Sequence, residues 1–296
     1  MRTSRSAGTA ARNTKWVRFP YAASSYRLEG EKLARQWKRL HQGDCESYPD
    51  AARVGSTAKQ SRAFSRWLEA HGKREALASA LQGAWREFHA GDFGAAIDIG
   101  STLGPLGAAA ANKAAGVYVT YLEKKQERAL EILQAAIRRG EDAIEMLPDD
   151  PNAHYMLAFV LGRYAQRISV LQALANGIAG RVRTQLEHAL RLEPRHADAH
   201  IAFGLYHAEI VAKLGALPAR LTYGASQTSA LEHLDRALKF APASPIAHVE
   251  YANALLLLDA KAHGERARKL YAEAAACKPG DAMERLDVER ARSHTT

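Results

Sequence analysis

The chain has 296 residues, enough to bury a substantial core or to stack several repeat units. Its 47% hydrophobic and 25% charged residues suit a folded protein, and abundant Ala, with Gly and Pro between periodic stretches, favours helix. The net charge of +9 is concentrated in residues 1–43, where ten Lys/Arg face only Glu29 and Glu31, so the body is near neutral and argues against nucleic-acid binding.

In chain order, residues 1–14 are polar and basic, and read as a disordered tail. Arg2, Arg5, Arg12, Lys15, Arg18 and Arg27 all precede the first acid, Glu29. That pattern resembles a mitochondrial transit peptide, and a plain basic tail reads the same way. Residues 15–72 read as an N-terminal helical segment. Tyr26, Gly30, Leu33, Trp37 and Leu40 keep helical spacing and predict a helix from Ala22 to His41. Pro49, Gly55 and small polar residues predict a loop over 44–58, and a second helix follows around Phe64, Trp67 and Leu68 until Gly72.

From Lys73 to Pro279 every periodic stretch has the 3.6-residue spacing, and an internal repeat is visible. Ala143–Pro148 with His154, Ala189–Pro194 with His200, and Ala237–Pro242 with His248 superpose, and Ala274–Pro279 is a partial fourth copy. The Ala marks a close helix contact, and the Pro ends one helix. Asp150-Pro151 and Ser244-Pro245 then place a capping residue before Pro at the first helical position.

This pattern resembles the tetratricopeptide repeat, whose second helix reads here as Ala230, Leu234, Ala237, Pro242 and again as Ala267, Tyr271, Ala274, Pro279. The resemblance covers residues 73–279 and implies an all-α, right-handed α-solenoid. About five helix pairs are expected, near 73–104, 106–147, 151–193, 197–241 and 245–279, with a capping helix and tail over 280–296. The Pro-to-Pro spacings of 46, 48 and 37 exceed the ~34 of the standard unit. The extra residues fall near 165–180 and 213–226, between the two helices of a pair. Such elongated units resemble the T-component proteins of bacterial TRAP transport systems, the microtubule-dynamics regulators of the RMDN type, and uncharacterised proteobacterial repeat proteins.

By position, the first helices present Tyr155 and Phe159, then Ile201 and Leu205, then Val249 and Asn253 to the concave groove that the resemblance implies. A carboxylate-clamp module needs Lys and Asn there, and only Asn253 matches. These six residues, with Arg220 and Tyr223 in the second insertion, are the candidate partner-binding set. The apolar face predicts a groove filled by a ligand or by the chain itself.

Repeat stacking spaces His154, His200 and His248 too widely to converge on a metal, so packing is the expected role. No GxSxG, P-loop, GxGxxG after a strand or DxDxDG motif occurs, and neither catalytic residues nor a cofactor is expected. Cys45 and Cys277 cannot make a disulfide framework, which fits a reducing compartment. The longest apolar run, Ala254–Leu258, is far below the ~18 residues that span a bilayer. The expectation is a cytoplasmic (or, in a eukaryote, mitochondrial) non-enzymatic scaffold for a protein or peptide. The alternative is a carrier enclosing a small apolar ligand, as the T-component resemblance implies.

Overall fold

The computed structural model describes residues 16–169, 172–173 and 176–295, and among these no strand occurs. The basic tail expected at 1–14 lies outside the described residues. The helix expected over 22–41 is broken. Ala23–Tyr26 forms a single 3-10 turn, Gly30 sits at φ 55, and α1 spans only Lys32–Leu40. A left-handed residue cannot continue a right-handed helix.

The loop expected over 44–58 ends early, because Asp50 Oδ1 accepts from Arg53 N at 2.7 Å and starts α2 (Ala51–Gln60). Burial of Val54 and Ala58 then holds α2 in place. Next comes α3 (Arg62–His71), capped by Ser61 and ended at Gly72.

Among the described residues, five helix pairs form the solenoid. They are α4 (Arg74–Ala90) with α5 (Phe93–Thr102), α6 (Gly104–Tyr121) with α7 (Gln126–Met146), and α8 (Pro151–Ala165) with α9 (Ile178–Leu192). Then α10 (Ala197–Leu214) pairs with α12 (Gln227–Phe240), and the inserted helix α11 (Ala216–Tyr223) lies between them. The last pair is one element, α13 (Pro245–Ala276), interrupted at Asp259, whose Oδ1 caps the second half by accepting from Lys261 N and Ala262 N.

The repeat frame has a direct physical basis. Ala143, Ala189, Ala237 and Ala274 are at most 1% exposed, so a larger side chain there would meet the neighbouring helix. Each repeat histidine donates from Nε2 to the carbonyl of the Pro six residues earlier: His154 to Pro148 at 2.8 Å, His200 to Pro194 at 3.1 Å, His248 to Pro242 at 2.9 Å. Pro leaves that carbonyl at a helix end without an intrahelical partner, and the ring supplies one.

A final helix, α14 (Ala282–Arg292), packs on α13 and also reaches back across the solenoid. Asp281 accepts from His89 of α4 at 2.7 Å, Glu284 pairs with Arg39 of α1 at 3.1 Å, and Asp287 accepts from Tyr121 of α6. Covering the last pair, its expected role, is therefore only part of its contact. Its buried acids find partners on the first half of the chain.

Candidate functional site

The first helices of successive pairs, α6, α8, α10 and α13, build two adjoining features. One is a sealed ionic cluster. At its centre Lys113 Nζ lies 2.5 Å from Asp44 Oδ2 and 3.5 Å from Asp198 Oδ2. Asp44 comes from the segment after α1, which runs across the starts of α8 and α10. Gly43 lets that segment approach, since a Cβ there would lie 2.2 Å from Asp198 Oδ1. Asp198 N donates to the Gly43 carbonyl at 2.9 Å.

Asn152 Nδ2 donates to the Asp44 carbonyl at 3.0 Å and to Glu46 Oε2 at 2.8 Å, while its Oδ1 faces His196 Nε2 at 3.0 Å. His41 Nδ1 faces Asp44 at 2.9 Å and its Nε2 lies 3.3 Å from that of His89. Burial would raise the Asp44 carboxyl, yet His41 and Lys113 hold it well below its ordinary range. Burial would lower the Lys113 ammonium, yet Asp44 and Asp198 raise it. Burial keeps His41 and His196 neutral, pushed down to about 4 and about 3.

The second feature is a cavity of about 190 Å³. Ala165, Gln166 and Ala173 of the first insertion are part of its wall, and α8 and α10 touch less than the neighbouring first helices do. Tyr155, Phe159, Ile201 and Leu205 all line it, together with Val117 of α6 and Met283 and Asp287 of the crossing α14. The Tyr155 and Phe159 rings stack at 6.0 Å and 21°. Gly116 makes room for Phe159, since a Cβ there would come within 2.1 Å of the ring. The Arg163 guanidinium lies 5.3 Å from the Phe159 ring centre and 3.5 Å from Glu250.

The other four candidates lie outside the cavity. Val249 is fully buried in the core of the last repeats. Asn253 is spent internally, donating to Glu250 at 2.7 Å and accepting from Tyr271 at 2.6 Å. Arg220 is exposed on α11, where Leu217 and Leu221 are also exposed. Tyr223 offers its carbonyl to Arg183 and to the Tyr206 hydroxyl.

Sequence reasoning missed the cluster altogether. The carboxylate-clamp pattern concerns the groove positions of the first helices, where Asn253 alone matches. Lys113 and Asn152 do grip acidic residues, but those of the chain's own N-terminal segment. Their signal was a Lys inside the alanine-rich run Ala108–Ala115, where a helix face has no other charge. Among the described residues no group of three or more His, Cys, Asp or Glu is placed to hold a metal ion.

With this geometry in view, the model of the family described as RMD1-3, regulator of microtubule dynamics protein 1-3, matches residues 108–288. The chain belongs to that family. The match runs from α6 through most of α14, so the crossing helix is inside the family unit and α1–α5 precede it. A solved thermophilic TPR protein of Thermus thermophilus superposes with a TM-score of 0.53 at 17% identity, over 73% of this chain and 99% of that one. That likeness shows a tetratricopeptide-type fold. No curated protein matches the chain. Repeat solenoids of this kind typically present extended surfaces to protein partners. No helix among the described residues is long and apolar enough to cross a membrane.

Proposed function

We propose that this chain is a non-catalytic scaffold that binds a protein partner by taking one large side chain of it into the α6–α8–α10–α14 cavity. The observation that carries this reading is the cavity itself, with the aromatic and aliphatic walls of Tyr155, Phe159, Ile201 and Leu205. Its volume of about 190 Å³ is below the ~300–1,000 Å³ of sites for drug-sized molecules, and just above the ~150 Å³ that accommodates benzene. One ring or one long side chain fits. Anchors of that kind dominate interface energetics. A second reading, a carrier of a small apolar molecule, is favoured by Met283 of α14 adding a further apolar wall to the cavity. Free Cys45 and Cys277 fit a cytoplasmic setting for either.

Leu205 is half-buried and lines the cavity, so Leu205→Trp should fill the space, with a melting curve to check the core that Leu205 also touches. Binding of N-acetyl amino-acid amides with long or aromatic side chains, followed by thermal shift, should saturate on the wild type and vanish in the filled variant. Equal binding by both would place the site elsewhere. The family's name points to microtubules, so co-sedimentation with assembled microtubules is the partner test. Pelleting that Leu205→Trp abolishes supports an anchor in the cavity. If benzene-sized ligands bind and the amides do not, the carrier reading replaces the scaffold.

A further inference from the structure

We propose that a cleft beside the cavity is an anion subsite, and that the partner seats there a Glu or Asp side chain adjacent to its anchor, an inference that rests on the anchor-site reading above. The cleft measures about 550 Å³ and lies between the ends of α6 and α8, the Pro20-Tyr21 segment and α14. It shares Thr120, Tyr121, Arg163 and Gln166 with the wall of the cavity. A partner segment anchored in one therefore reaches the other.

Three guanidiniums from different places in the chain line the cleft: Arg163 near the end of α8, Arg167 just beyond it, and Arg290 on α14. Arg163 Nη2 and Arg290 Nη1 each lie 3.5 Å from the same oxygen, Glu250 Oε1, so the two nitrogens are at most twice that distance apart. The other Glu250 oxygen accepts from Asn253 at 2.7 Å. Arg167 makes no ion pair with a described residue. It donates only to neutral acceptors, the Val119 carbonyl at 2.6 Å and Gln126 Oε1 at 3.4 Å.

The remaining acids nearby do not offset these charges. Glu289 lines the cleft but is held by Arg285 at 3.0 Å and by Arg292. Asp287, on the cavity side, keeps its proton at neutral pH, because burial pushes its carboxyl up to about 8. Three arginines thus face the single charge of Glu250, and two positive charges are left over. A cleft lined by one sign of charge focuses its field on incoming groups of the opposite sign.

The guanidiniums are within reach of a ligand. The Arg163 and Arg290 side chains are 18% and 31% exposed, and Arg167 is half-buried. Among the described residues only two of the five Arg167 donors find an acceptor. A carboxylate matches a guanidinium with two parallel N–H···O bonds. The cavity admits one ring or one long side chain, so the acid comes from a neighbouring residue of the same segment. At about 190 Å³ the cavity is smaller than sites for drug-sized molecules, and the acyl chains of a membrane lipid need more room than that. That favours an acidic side chain over a lipid headgroup.

The test titrates the full chain at pH 7 with acetylated dipeptide amides that pair Phe with Glu, with Gln or with Lys, in both orders, read by NMR shifts. The better Glu peptide should bind about tenfold tighter than its Gln counterpart in low salt, and the Lys peptide most weakly. High salt should remove most of the Glu advantage and leave Gln binding unchanged. Arg167→Gln should lose most of that advantage and keep the Gln-peptide affinity, with a melting curve to confirm that it folds. Glu and Gln peptides of equal affinity overturn the anion subsite and leave the anchor cavity standing. Failure of all the peptides to bind overturns both. Flotation with phosphatidylglycerol–phosphatidylcholine vesicles tests the lipid headgroup. Capture that Arg167→Gln abolishes and the Glu peptide does not displace overturns the acidic-side-chain assignment. The wild-type series in the two salts decides the question even if Arg167→Gln does not fold.

Discussion

The two features on the inner face of the solenoid are built from the same helices and end in opposite states. Toward the starts of α8 and α10, Lys113, Asp198 and Asn152 are matched by Asp44, the Gly43 carbonyl and Glu46. Further along α8 and α10 toward α14, apolar walls surround a space and Asp287 is left with a free oxygen. The chain fills one region with its own N-terminal segment and leaves the other open. A charge buried against partners of the same chain does structural duty. A buried carboxyl with one oxygen unmatched keeps its proton instead.

The sharpest way to break this contrast is to unmatch the sealed cluster. Lys113→Met should cost about 3–5 kcal/mol, because it strands two carboxylates in the interior. Urea unfolding measures it. Adding Asp44→Asn and Asp198→Asn should recover much of the loss, since removing every member of a buried ionic group is far cheaper than removing one. A single variant as stable as the wild type would show that Lys113 is not the keystone of the cluster.

Acid should open the same cluster with a somewhat smaller effect. His41 and His196 stay neutral in the folded chain down to about 4 and about 3, whereas the unfolded chain protonates them near 6.5. Every proton taken up between those values favours unfolding. Stability is complete above pH 6.5 and drains as the pH falls toward 4, by about 2–4 kcal/mol at pH 4.5. Hydrogen exchange should show 41–46 losing protection first. Uniform loss across the solenoid would deny that the segment is a separable latch.

The repeat skeleton was legible because its rules are local. Ala, Pro and His recur at fixed spacing, and each works within one helix–turn–helix, down to the His ring bonded to its own Pro carbonyl. The five pairs and both insertions follow from that frame. The α2 helix was obscured by Gly55 and Ser56, although Asp50 before Ala51-Ala52 is a readable cap.

The cluster and the crossing helix were not legible, and the reason is range. Asp44 and Lys113 are 69 residues apart, and His89 and Asp281 are 192 apart. No periodicity connects them. Of the groove candidates, the positional rule reached Tyr155, Phe159, Ile201 and Leu205 because helical register alone decides which face they share. It could not show that α13 is packed shut at Val249, or that α14 would bring Met283 and Asp287 to the cavity wall.

The smallest expected effect sits in the open region and has the opposite pH sense. Folded, the Asp287 carboxyl holds its proton up to about 8, while the unfolded chain releases it near 3.8. Unfolding therefore sheds a proton anywhere between those values, and the stability present below pH 3.8 drains as the pH rises toward 8. Asp287→Asn removes this slope while its side-chain oxygen can still accept from Tyr121. The variant should thus match the wild type at pH 4 and exceed it by at least about 1 kcal/mol at pH 8, a rise of at least a few degrees in melting temperature. Melting curves at the two pH values read it directly. A variant less stable than the wild type at pH 8 would mean that ionised Asp287 is already satisfied by Arg290, and the contrast between a matched and an unmatched end of the inner face would be gone.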